Sequence, residues 1–134
     1  IEQRRLQLEA LVNDYKWLSK EHKCVSILAS QLNRSLETRS IAAKPQLSDL
    51  AESGAIEQVA ENVFFTYYDY KINGSNSKGK NVVTIVARKV RYGETGETDL
   101  GFDGDKARFY NTVEDYTEDL KREMIADNDK ALPF

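Results

Sequence analysis

The sequence predicts an α/β fold, on three observations. A charged segment with an apolar stripe, residues 3–22, runs almost directly into the short apolar stretch "CVSILAS" at 24–30. That stretch shows no polar alternation, the pattern of a strand covered on both faces in a parallel sheet. Further on, "VVTIVARKV" has strong β composition, and two apolar runs flank Asp103-Gly104. A helix, a short link and a buried strand make half of a βαβ unit; the later strands add hairpins.

Taken in order, Leu6, Leu8, Leu11, Val12, Tyr15 and Leu18 give residues 3–22 a helical stripe. Trp17 lies near it and is expected in the core. "EHK" ends the helix, with His22 as a solvated cap rather than a metal ligand. Cys24 reads as a small core residue at the start of the strand. Residues 32–46 form a loop ending at Pro45. In "QLSDLAESG", Ser48 is a candidate N-cap of a short helix broken at Ser53-Gly54. "AIEQVAE" adds another helical turn or two, and "NVFFTYYDY" is an aromatic strand. "KINGSNSKGKN" is a polar turn whose Gly-Lys pair lacks the spacing of a phosphate loop. "VVTIVARKV" is a strand, and "LGFDGDKARFY" a hairpin with a two-residue Asp103-Gly104 turn. From Val113 the chain is acidic, a tail expected to be solvated and partly helical. No internal repeat is visible.

Composition removes several function classes. One cysteine in 134 residues excludes an internal disulfide and a multi-cysteine metal site. With 19 basic and 22 acidic side chains, the surface is not uniformly positive, but local basic sites are allowed. No apolar run approaches the roughly 20 residues of a membrane span. The chain opens on Ile1 without a secretory pattern, so a cytoplasmic location is expected.

Three places carry possible chemistry. In open parallel sheets, ligands sit beyond the carboxyl ends of the strands, where "ASQLNRSLETR" would hold Gln31. Its amide can donate to a phosphate oxygen and accept from water, so it can sense a terminal phosphate. It can equally satisfy loop backbone. Lys89 and Arg91, two apart at a strand end, project to one face. They make either a polyphosphate clamp or a solvated sheet edge. In "SDLAESGAIEQ", a short helix before Ser53-Gly54 exposes N–H groups that can hold a nucleic-acid phosphate. Gly54 also serves as an ordinary helix terminator.

Together, "SQLNRSLETR", "LSDLAESGAIEQVAENVFF", "KVRYGETG" and "FDGDKARF", in this order, resemble the C-terminal half of the ATPase domain of DnaB-type hexameric replicative helicases. The resemblance covers roughly residues 5–110. It implies a partial RecA-like P-loop NTPase fold, with domain 1–112 followed by the acidic tail 113–134. By the resemblance, Gln31 is the sensor linking the ATP γ-phosphate to the DNA-facing loops. Lys89 and Arg91 reach ATP on the next subunit, with Arg91 as the arginine finger. The loop with Ala51, Glu52, Ser53 and Gly54 touches single-stranded DNA. Partners implied are a homo-hexamer, single-stranded DNA, and a primase or helicase loader, with 5′ to 3′ movement.

The chain departs from the family pattern at Ala51, where arginine is common, and at Tyr92 and Glu94 around Gly93. It contains no G-x-x-x-x-G-K-[ST], and no apolar strand ending in acidic residues precedes the first helix. ATP and Mg²⁺ are therefore expected to belong to a complete protein whose metal ligands lie outside this chain. The expectation is a fragment or split part, inactive alone, with an apolar sheet edge left open. A RecA-like ATPase without unwinding and a non-catalytic interaction module are the alternatives.

Overall fold

The computed structural model describes residues 2–32, 44–50 and 54–130. The elements are α1 (Glu2–His22), α2 (Gly54–Val59), β1 (Asn62–Tyr67), α3 (Asp69–Asn73), β2 (Val82–Val90), β3 (Gly96–Asp103), β4 (Arg108–Tyr110) and α4 (Val113–Lys130). Single 3₁₀ turns occupy Leu47–Asp49 and Gly74–Asn76. The strands form one sheet in the order β1-β2-β3-β4, with β3 and β4 antiparallel. The α/β class stands, built here on an antiparallel sheet. No helix among the described residues is long and apolar enough to cross a membrane.

By its contacts the chain divides into two units, one of residues 1–65 and 86–96, the other of 66–85 and 97–134. In the first unit, α1 packs against α2 and buries Val12. The core adds Leu50, Ala55, Val63, Phe65 and a fully enclosed Val86. Helix α1 ends as expected near "EHK". Lys23 takes a left-handed φ of 51°, and the Cys24 N–H reaches back to the Ser19 carbonyl at 3.1 Å, closing the last turn. His22 is exposed beside Glu21, 3.7 Å away.

The expected buried strand is the main correction. Residues 24–30 are not part of the sheet, and no described strand pairs with them. Val25 is 87% and Ile27 90% exposed, and Cys24 is exposed rather than in the core. Covering a valine or isoleucine is worth about 1.5–3 kcal/mol, which this run forgoes. The stripe on α1 is likewise mostly uncovered: Leu6, Leu11, Tyr15 and Leu18 remain open, and Trp17, expected in the core, is 62% exposed. Apolar composition announces that a surface wants cover, not that the cover is in the same chain.

Three local expectations also change. Ser48 is not an N-cap: Gln46 holds that position, and the Asp49 carboxylate reaches back to accept the Gln46 N–H at 2.8 Å, while the Asp49 N–H donates to the Gln46 carbonyl. The aromatic strand stops at Tyr67 instead of Tyr70. Asp69 draws the chain into α3 by accepting from the Asn73 amide and from the Lys78 N–H at 3.2 Å. The hairpin turn is four residues, since Asp103 pairs with Arg108. The Asp103 carboxylate accepts the N–H groups of Asp105 and Lys106, and Ala107 takes a left-handed φ of 50°.

In the second unit the acidic tail is helical throughout Val113–Lys130 rather than partly so, and most of its residues are exposed, as expected. Thr112 and Asp115 cap α4 reciprocally, each side chain accepting the other's N–H at 3.1 Å. The helix then docks on the hairpin. Tyr116 meets Tyr110 edge-on at 5.4 Å, Asp119 accepts from Tyr110 at 2.8 Å and Arg108 at 3.2 Å, and Glu123 pairs with Lys106 at 2.6 Å. Two of the helix's carboxylates, Asp119 and Glu123, thus pair with the basic hairpin, while Glu118 pairs within the helix with Arg122 at 3.6 Å.

Candidate functional site

The expected functional residues fall at two places in the first unit. At the end of β2, Lys89 turns back on the end of α2 and Arg91 on the Glu61-Asn62 segment that follows it. Lys89 Nζ donates to the Glu57 carbonyl at 2.6 Å and the Gln58 carbonyl at 3.3 Å. These are carbonyls at the end of α2, where a cation is favoured. Arg91 lies just past β2. Its N–H donates to Asn62 Oδ1 at 3.2 Å, and its guanidinium, through Nη1, pairs with the Glu61 carboxylate. The Tyr92 ring centroid is 5.4 Å from Arg91 Cζ.

Glu61 also accepts Lys16 of α1 at 3.0 Å, and Lys16 in turn donates to the Val59 carbonyl at 3.1 Å. Bonding to Arg91 first, and then to Lys16, holds the Glu61 carboxyl down at about 2 against an ordinary 4.5. The same bond raises Arg91 further above its ordinary value. Because the folded value is depressed, the pairing is fully present above the ordinary carboxylate range and is lost as pH falls through about 2. An NMR titration of the Glu61 side-chain carboxyl should have its midpoint near 2. A midpoint at the ordinary 4.5 would dismiss the pairing.

Gln31 sits elsewhere. It is exposed at the end of the extended run, and among the described residues it makes no hydrogen bond or ion pair with Lys89 or Arg91. The next residue, Leu32, forms an antiparallel bridge with Leu50. Leu50 is buried and immediately precedes Ala51. One bridged pair therefore ties the Gln31 backbone to the start of the expected DNA-facing loop. Upstream of Leu50, Arg88 Nε donates to the Pro45 carbonyl at 2.8 Å.

Ala51, Glu52 and Ser53 lie outside the described residues. Gly54 is the first residue of α2 rather than a terminator, and its Cβ position faces open space. A depression of about 390 Å³ is lined by Gln46, Leu47, Ser48, Glu57 and Arg88. Neither Gln31, Lys89 nor Arg91 lines it. Among the described residues, no group of three or more His, Cys, Asp or Glu is placed to hold a metal ion.

Sequence reasoning found the cations and missed what holds them. Glu61 is 30 positions from Arg91, and Lys16 lies on α1, farther still along the chain. The one available signal was the pair of polar residues, Glu61-Asn62, at the mouth of an aromatic strand.

Residues 1–111 match the family described as DnaB-like helicase C terminal domain. The replicative DNA helicase DnaB of Pasteurella multocida is 40% identical over 111 residues, covering 83% of this chain and 23% of the relative. That of Haemophilus influenzae is 39% identical over 118 residues, covering 87% and 25%. A solved DnaB-like replicative helicase, described with its interactions with primase, superposes with a TM-score of 0.75. It has 36% identity, and the match covers 81% of this chain and 25% of that one. The chain thus spans about a quarter of the length of the curated relatives it matches, and α4 lies beyond the family match. With the fold, the motifs and the family match in agreement, this chain belongs to the DnaB-like helicase C-terminal domain family.

Proposed function

We propose that this chain serves, within a complete protein, as the C-terminal part of a ring-shaped replicative helicase motor that couples ATP hydrolysis to movement along single-stranded DNA. Gln31 is the γ-phosphate sensor, Lys89 and Arg91 act on ATP bound by the neighbouring subunit of a homo-hexamer, and Ala51, Glu52 and Gly54 belong to the DNA-contacting loop. The observation that carries the reading is the Leu32–Leu50 bridge. A sensor one residue before it and a DNA loop one residue after it share a single hydrogen-bonded tie. A change at a phosphate is thereby passed to the DNA without a long relay.

The chemistry asked of these residues is modest. The transferred phosphoryl group carries charge on its oxygens, and positioned cations stabilise it. Mg²⁺ and the phosphate-cradling loop come from parts of the protein outside this sequence, so the chain alone does not turn over ATP. Movement runs 5′ to 3′ in a bacterial or phage-infected cytoplasm, with the domain ending near residue 112 and a primase or helicase loader as partner.

The test is displacement of a strand from a forked duplex by the complete protein. ATP-dependent unwinding is expected, and Gln31→Ala should abolish DNA stimulation of ATP turnover while leaving ATP binding in place. Turnover without displacement would reduce the function to a translocating or recombination-type ATPase. No turnover at all would leave only an interaction module.

A further inference from the structure

The finger assignment leaves open how a long, exposed arginine is kept ready for a substrate on another subunit. Arg91 is held at two points by consecutive residues: Asn62 Oδ1 accepts its backbone N–H and Glu61 its guanidinium. A side chain fixed at both base and head loses most of its rotamer freedom before any ligand arrives. We propose that Glu61 is a positioning residue for Arg91, setting the guanidinium at the end of β2 and leaving its remaining N–H donors for the oxygens of a nucleoside triphosphate. This deepens, and rests on, the reading of Arg91 as a trans-acting finger.

Three further observations support it. The Glu61 contact uses Nη1, only one corner of a fork with five donors, so the bond orients the group without consuming it. Glu61 is itself anchored: Lys16 reaches it at 3.0 Å from α1, and Lys16 is steadied by the Val59 carbonyl. The end of α2, just ahead of Glu61, is further secured by Lys89 on the Glu57 and Gln58 carbonyls. Lastly, Lys16, Glu61 and Arg91 sum to a charge of +1, so the cluster still attracts a polyphosphate with Glu61 ionised.

An opposite arrangement is chemically conceivable, in which the carboxylate withholds Arg91 until phosphate competes for it. The two differ in sign, which makes the test sharp. In the complete protein, Glu61→Gln should lower kcat for DNA-stimulated ATP hydrolysis by about tenfold to a hundredfold, the scale of a slightly misplaced catalytic group. KM and ring assembly should stay near wild type. Glu61→Asp, which keeps the charge on a shorter arm, should recover part of the loss.

A kcat that is unchanged or raised in Glu61→Gln overturns the proposal. Should that variant fail to assemble, Lys16→Met decides: it removes the anchor but leaves the Glu61–Arg91 pair, and an undiminished kcat there also overturns it. Arg91→Ala, run alongside, separates the two levels. If Arg91→Ala retains activity, the finger reading itself has failed. If Arg91→Ala is dead and Glu61→Gln is normal, only the positioning role falls.

Discussion

Arg91→Ala in the complete protein should lower DNA-stimulated ATP turnover by about 10³-fold or more, the scale at which arginine fingers act on phosphoryl transfer. The expectation rests on where the residue sits. Its guanidinium is half exposed just past the end of β2, and an exposed ion pair with Glu61 contributes little to folding. A large loss of rate with unchanged ring assembly and melting would therefore report chemistry, not collapse. Arg91→Lys sharpens the reading: it preserves the charge but not the planar fork, and should rescue little. Lys89→Ala is the less clean variant, because Lys89 also holds the last carbonyls of α2 and its loss loosens that helix. Turnover near wild type in Arg91→Ala would remove Arg91 from the mechanism.

The second large effect is structural and belongs to the second unit. Gly101→Ala should destabilise the docking of α4 on the hairpin by about 1–3 kcal/mol, the usual range for overpacking. A Cβ at Gly101 would stand 2.5 Å from the Thr112 carbonyl oxygen, 2.9 Å from Tyr116 Cβ and 3.1 Å from Tyr110 Cβ. The first of these is backbone at the cap of α4 and has no rotamer to escape into. To relieve it, the start of the helix must shift, and with it the Tyr110–Tyr116 contact and the Asp119 bonds to Tyr110 and Arg108. Amide hydrogen exchange would show this as lost protection along α4 while β2 stays protected. Unaltered protection in α4 would mean that the helix owes its place to something other than this close approach.

Much of the fold was legible because its signals are local. The apolar stripe of α1 repeats with the helix, and "VVTIVARKV" is β-branched along most of its length, so each element follows from neighbours a few positions apart. Apart from the uncovered run at 24–30, the errors fall where a side chain overrides local preference. Asp69 ends an aromatic strand that composition alone would extend, Asp103 opens a four-residue loop where Asp-Gly usually makes a two-residue turn, and Asp49, by accepting the Gln46 N–H, starts a turn two residues ahead of Ser48. A short acidic side chain can hydrogen-bond nearby backbone N–H groups, and whether it does so depends on the geometry around it. The docking of the tail escaped notice for a related reason. Nothing local marks Asp119 and Glu123 out from their solvated neighbours until the hairpin's Lys106, Arg108 and Tyr110 are placed opposite them.

The candidate site divides along the same line. Gln31, Lys89 and Arg91 could be named from the sequence, since an amide after an apolar run and two cations at a strand end are properties of adjacent residues. That Leu32 meets Leu50, that Glu61 meets Arg91, and that Lys16 stands behind Glu61 only the tertiary structure decided. Such contacts depend on which segments the folded chain sets side by side. A bond across 30 positions leaves no periodicity in the string of residues, and only three-dimensional proximity makes it a contact.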